Sequence, residues 1–237
     1  MTPEQRFAQI VATDASQPFV TYYDEATGER FELSAKSLAN WVAKTHHLLG
    51  DELGLGLGDT ALISLPAHWL AVPILLGALS AGLSLVDDED ADVAFVSEDT
   101  VSDADGMLDV YAINTADPAN GFTGETPGGA QDYVAAVRPQ ADAWAGVVMP
   151  AGDADACFVD RSRAEVEDEA VARAAALGLS EGGRLLSTRE WTSPADWVDS
   201  VFAALAVGGS LVIVRNAPDE QTVERRMQQE RATARLH

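Results

Sequence analysis

The chain has 237 residues, 47% of them hydrophobic, enough to bury a core in one large domain or two small ones. Fifteen Lys and Arg against 38 Asp and Glu give a formal charge of -23, which opposes phosphate backbones and anionic membranes and argues against nucleic acid as a partner. Cys157 is the only cysteine, so no intrachain disulfide forms and a cytoplasmic setting is expected, and the charges Glu4, Arg6 and Asp14 interrupt any secretory h-region near the start.

Phe19 to Tyr23 and Glu29 to Leu33 read as two strands joined by the turn residues Asp24, Thr27 and Gly28. Ser34 caps an amphipathic helix with Leu38, Trp41, Val42 and Thr45 on one face, and Gly50 is placed to stop it. Residues 61–86 carry no Asp, Glu, Lys or Arg, yet Pro66, Pro73, Gly77 and Gly82 break the stretch into a strand (Thr60 to Leu65), a helix (His68 to Ala81) and a strand (Leu83 to Val86), so no membrane span is expected. Val93 to Val96 and Leu108 to Ile113 follow as strands. The segment 114–144 is irregular around one short helix, Tyr133 to Val137. Then come extended runs at Gly146 to Met149 and Ala156 to Val159, and a helical stripe of Val166, Ala170, Val171, Ala174 and Leu177 closed by Gly178. Arg184 to Ser187 is a strand. Ser193, Pro194 and Asp196 head a helix ending at Gly208, Leu211 to Val214 is a buried strand, and Pro218 opens a polar helix anchored by Val223 and Met227. This alternation implies an α/β fold with mostly parallel sheets flanked by helices. Residues 1–237 are read as a single domain, with 1–115 and 140–237 as candidate lobes joined by the irregular segment 116–139.

Phe31-Glu-Leu-Ser34, the helix after it, Leu55-Gly-Leu-Gly-Asp59, Leu62-Ile-Ser-Leu-Pro66 and the run Ala78 to Val86 follow one another in an order that resembles the opening of the acyl-adenylate-forming superfamily. This superfamily comprises acyl-CoA synthetases, adenylation domains and luciferases. The run Leu177 to Ser187, the helix after Trp191 and the run Val207 to Val214 resemble the part that follows that family's phosphate loop. The resemblance implies an acetyl-CoA synthetase-like N-terminal subdomain. Its members carry a loop of the form Thr-Ser-Gly-Thr-Thr-Gly-x-Pro-Lys-Gly, whose amides, hydroxyls and ammonium hold nucleotide phosphates. Here the corresponding stretch is Pro150-Ala-Gly-Asp-Ala-Asp-Ala-Cys-Phe-Val159: Gly152 remains, the hydroxyls are gone, and Asp153 and Asp155 stand in their neighbourhood. The chain has two lysines, Lys36 and Lys44, both on the covering helix. The family's AMP- and ribose-gripping phrases and its C-terminal lysine domain have no counterpart before His237.

These departures lead to an expectation of a non-catalytic relative, a pseudoenzyme or binding module, with no catalytic residue, metal or cofactor assigned. The alternatives are an enzyme with a remodelled site, its pocket near His68 and Trp69, or one part of a split ligase. A homo-oligomer or protein partner is expected to cover a truncated sheet edge. Other constellations favour structural readings. Gly54, Gly56 and Gly58 precede a strand and lack the third position of a dinucleotide fingerprint, where Asp59 stands. His46 and His47 point about 100 degrees apart on a helix. Asp103 and Asp105 beside Gly106 echo part of a calcium loop, but its first and last ligand positions would be Val101 and Ala112, and the acidic run 87–92 reads as a solvated loop. Cys157 reads as a small core residue.

Overall fold

The computed structural model describes residues 1–87, 90–143, 151–158 and 160–237. In chain order it contains helix α1 (Pro3–Thr13), strands β1 (Pro18–Asp24) and β2 (Glu29–Ser34), and helix α2 (Ala35–His47), which continues as a π-helical turn (Leu48–Glu52). Next come β3 (Thr60–Ser64), α3 (Ala71–Ala81), β4 (Ser84–Val86), β5 (Val93–Ser97), β6 (Val110–Ile113), β7 (Gln131–Asp132) and α4 (Tyr133–Val137). Then follow β8 (Ala156–Phe158), β9 (Arg161–Ser162), α5 (Arg163–Ala176) and β10 (Arg184–Ser187). α6 (Pro194–Trp197) and α7 (Ala203–Ala206) are joined through a π-helical turn (Val198–Phe202), before β11 (Ser210–Arg215), α8 (Glu220–Gln229) and β12 (Ala234–Leu236).

The chain forms two compact units. One contains residues 1–38 and 163–237, the other residues 39–162, so segment 116–139 lies inside the second unit. In the first unit the sheet order is β12-β10-β11-β1-β2, parallel except for the β1–β2 hairpin. The hairpin turn is built as its residues dictate: the Asp24 carboxylate accepts from Ala26 N–H and Thr27 N–H, and Gly28 N–H donates to Asp24 O at 2.8 Å. In the second unit the order is β7-β6-β5-β3-β4-β8-β9, parallel except for β8–β9. β5 is buried along its whole length, as a central strand of a covered parallel sheet must be.

Several boundaries differ from the sequence reading. The Ser34 cap holds, with Ser37 N–H donating to Ser34 Oγ at 3.1 Å, but Gly50 does not end that helix. Widening to a π turn carries the chain to Glu52 with Leu48 and Leu49 fully buried, and the left-handed residue is Gly54 (φ 73°). The helix read from His68 begins at Ala71. The strand read from Leu108 begins at Val110, and Leu108 itself is 96% exposed. Val171 faces solvent, while Val166, Ala170 and Ala174 make the buried stripe of α5. The run Gly146 to Met149 lies outside the described residues. No helix among the described residues is long and apolar enough to cross a membrane.

Candidate functional site

The stretch that stands where a phosphate loop is expected leads into β8. Ala151 is buried, residues 152–154 are exposed, and Cys157 and Phe158 are buried as the strand begins; Pro150 and Val159 lie outside the described residues. Gly152 N–H donates to Asp155 Oδ2 at 2.6 Å, and Asp155 N–H donates back to Gly152 O at 3.1 Å. Residues 152–155 are therefore a turn closed from both ends. A peptide N–H with a carboxylate seated on it is no longer offered to an anion from solution. Asp153 lies at the exposed tip of this turn.

The same closure occurs earlier in the chain. Gly56 N–H donates to Asp59 Oδ2 at 2.7 Å, and Asp59 N–H donates to Gly56 O at 3.0 Å. Gly56-Leu-Gly-Asp59 leads straight into β3 as Gly152-Asp-Ala-Asp155 leads into β8. Both are Gly-x-x-Asp strand-entry turns. A Cβ on Gly152 would meet only Asp155 Oδ2, at 3.6 Å, so space does not require glycine there. The repeated spacing was in the sequence; its meaning, a carboxylate reaching back to the amide three residues earlier, was missed.

The cations of this unit are engaged. The Arg161 guanidinium sits 4.6 Å over the Phe158 ring, with Nε 3.3 Å from Asp160 Oδ1. Lys44 Nζ lies 3.0 Å from Arg138 O and 2.8 Å from Asp142 Oδ1, and also donates to Gln140 O. Lys44 thus ties α2 to the chain after α4, while Lys36, in the other unit, is exposed on the first turn of α2.

His68 and Trp69 are each 1% exposed. His68 Nδ1 accepts from Leu70 N–H at 3.1 Å, helping turn the chain into α3. Trp69 packs edge-on against Trp41 at 5.7 Å; Trp41 stacks on Tyr133 at 6.3 Å, and Tyr133 meets Phe95 edge-on at 5.8 Å. The pair is thereby part of an aromatic core, and neither lines any of the three described cavities. Gly152, Asp153 and Asp155 stay together on one turn.

Four of the other residues singled out in the sequence have structural partners. Asp92 Oδ2 accepts from Thr60 N–H and Thr60 Oγ1–H, both at 2.8 Å, and Asp103 Oδ2 accepts from Ser64 Oγ–H at 2.6 Å. His46 Nδ1 lies 3.3 Å from Ser80 Oγ, and burial, with the neighbouring His47 charge, holds its pKa below the usual value. His47 Nδ1 lies 2.6 Å from Asp51 Oδ2. Asp88 and Glu89 lie outside the described residues. Among the described residues no three His, Cys, Asp or Glu side chains gather as they would around a metal ion.

No protein-family model matches the chain. It is 38% identical over 231 residues to a TIGR03089 family protein of Mycobacterium tuberculosis (strain ATCC 25618 / H37Rv), a match spanning 94% of this chain and 93% of that one. Among solved structures it is similar to an acyl-CoA synthetase of Brucella canis (TM-score 0.78, 15% identity, 99% of this chain and 47% of that one). It is equally similar to an acetoacetyl-CoA synthetase of Streptomyces lividans (TM-score 0.78, 17% identity, 98% and 42%). A third match is the N-terminal domain of FACL13 of Mycobacterium tuberculosis (TM-score 0.70, 15% identity, 98% and 61%). The chain therefore has the fold of the N-terminal part of acyl-CoA synthetases and spans between 42% and 61% of the lengths of these three.

Proposed function

Because the chain belongs to the TIGR03089 family and carries an acyl-CoA synthetase-like fold, we propose that it is a non-catalytic relative of the acyl-adenylate-forming enzymes. On this reading it is a binding module that keeps the scaffold without the ATP chemistry. The observation that carries the reading is the turn closed by Asp155 onto Gly152 N–H. A phosphate loop works by presenting free amides and a cation to a polyanion. This turn gives its amide to its own carboxylate, as the plain connector Gly56 to Asp59 does, and sets Asp153 beside it. An aspartate about 4 Å from a phosphate charge costs ~1 kcal/mol in water and ~4 kcal/mol at an effective dielectric of 20.

A homo-oligomer or another protein completing the first unit's sheet belongs to the same proposal. β12, three residues long, is an edge strand paired to β10 on one side.

Isothermal titration with ATP and with AMP, each with and without Mg2+, tests the central point, together with a pyrophosphate-release assay over a panel of carboxylic acids. The expected result is no saturable nucleotide binding in the sub-millimolar range and no pyrophosphate. The Mg2+ arm matters because a divalent ion bridging Asp153 to a phosphate is the one way these acids would help. Sub-millimolar binding accompanied by pyrophosphate release overturns the proposal.

A further inference from the structure

Residues 45–137 contain sixteen Asp and Glu and no Lys or Arg. Within that run, the chain between β5 and β6 and the turn before β7 enclose a groove of about 240 Å³. Its apolar wall is made by Val101, Ala104, Met107, Val110 and Ala130, which pack on the buried Leu62, Ala94, Val96 and Ala112 of the sheet beneath. Leu108 stands at the rim with 96% of its surface in water, more than any other large hydrophobic side chain among the described residues. Five acids, Glu98, Asp99, Asp103, Asp105 and Asp109, lie on the same connection.

The volume is below the range of sites that enclose a cofactor-sized molecule, and suits one or two side chains of a polypeptide. A leucine held in water gains only when something apolar covers it. The covering group meets a rim with no cation of its own within the run. We propose that this groove docks a Lys- or Arg-bearing segment of a partner protein, an aliphatic residue of which covers Leu108 and enters the space beside Met107 while its cations face the acids around it. The proposal stands whether or not residues 151–158 hold nucleotide, so its failure and that of the preceding reading are distinguishable.

The test is fluorescence anisotropy with the whole chain and a labelled synthetic peptide of repeated Leu-Lys-Lys-Leu units, beside oligolysine of the same charge. Leu108→Asp is compared with Leu57→Asp, which adds the same charge at another exposed leucine outside the groove. The Leu/Lys peptide is expected to bind saturably, about tenfold or more tighter than oligolysine, and to weaken as salt rises. Leu108→Asp is expected to remove that advantage with the melting temperature unchanged, while Leu57→Asp retains it. Equal binding of oligolysine, equal loss in both variants, or no saturable binding overturns the proposal. So does concentration-dependent dimerisation abolished by Leu108→Asp, because the occupant is then a second copy of this chain.

Discussion

Replacing Glu4 by Gln tests how α1 is attached to the rest of the first unit. Glu4 lies in the first turn of α1, and its Oε1 accepts from the guanidinium of Arg163 at the head of α5; the two side chains are 2% and 0% exposed. Burial pushes the Arg163 guanidinium down to about 10, which leaves it protonated at neutral pH. Gln keeps the shape but removes the carboxylate charge that faces the buried guanidinium. Breaking such a pair from one side costs about 3–5 kcal/mol. For a chain of this size that corresponds to a fall in Tm of about 6–20 °C. The second link between the same helices, Arg6 Nε to Glu167 Oε1 at 2.5 Å, has an arginine that is 29% exposed, so its removal is expected to cost only ~1 kcal/mol. Urea unfolding of Glu4→Gln, Arg163→Met, the Glu4→Met/Arg163→Met double variant and Arg6→Met reads these differences. The double variant is expected to recover most of the loss, since two apolar side chains replace two desolvated charges. A cost below ~1 kcal/mol for Glu4→Gln, or a double variant as unstable as either single one, refutes the reasoning.

Two further outcomes follow from the packing. Gly77 of α3 lies so close to α2 that an added Cβ would meet Thr45 Cβ at 2.5 Å, and Thr45 is fixed by its hydroxyl bonds to Trp41 O at 2.9 Å and Tyr133 OH at 2.8 Å. Gly77→Ala is therefore expected to destabilise by about 1–3 kcal/mol despite the better helix propensity of alanine, and an unchanged urea midpoint contradicts this. All four tyrosines have their pKa raised above 10 chiefly by burial: Tyr22 and Tyr111 to about 12, Tyr23 and Tyr133 in the same direction. A folded-state pKa above the unfolded one keeps protons on the native protein. The tyrosines' contribution to stability is then full below pH 10 and lost as pH rises through their raised folded-state values, and absorbance at 295 nm should show tyrosinate forming at higher pH on folded than on unfolded protein. A reversible four-tyrosine titration centred at 10 on folded protein would contradict it.

How much was legible depends on whether local chemistry or tertiary context decides each element. The hairpin over 18–34 and the helix headed by Ser193 were readable because Asp24, Gly28, Ser193 and Asp196 act on their own neighbours. Helix α1 carries the same kind of message, Thr2 and Gln5 bonding reciprocally at its head, but was overlooked. β12 and β7 are three and two residues long, and only the strands beside them select those conformations. Gly77 read as punctuation in an apolar run, whereas its space is filled by a threonine 32 positions earlier that no local pattern announces. For the candidate site, the residue types at 152–155 pointed to repulsion of phosphate, but the closed turn is a geometric fact that residue types alone do not contain.

The loop and the charge of the second unit act on an anionic ligand at different ranges. The Asp155 carboxylate works at hydrogen-bond distance: it occupies one amide and is indifferent to salt. The field works farther out. Residues 39–162 hold three of the fifteen Lys and Arg and twenty of the 38 Asp and Glu, a formal charge of -17 out of -23. Salt at physiological strength screens that field over about 8 Å, so it governs how an anion approaches more than how it sits. Freeing the amide with Asp155→Ala thus leaves the approach as unfavourable as before, and added salt leaves the amide as occupied as before. A nucleotide is opposed by both. For a cationic peptide the field becomes attraction, while the turn at 152–155 is irrelevant to it.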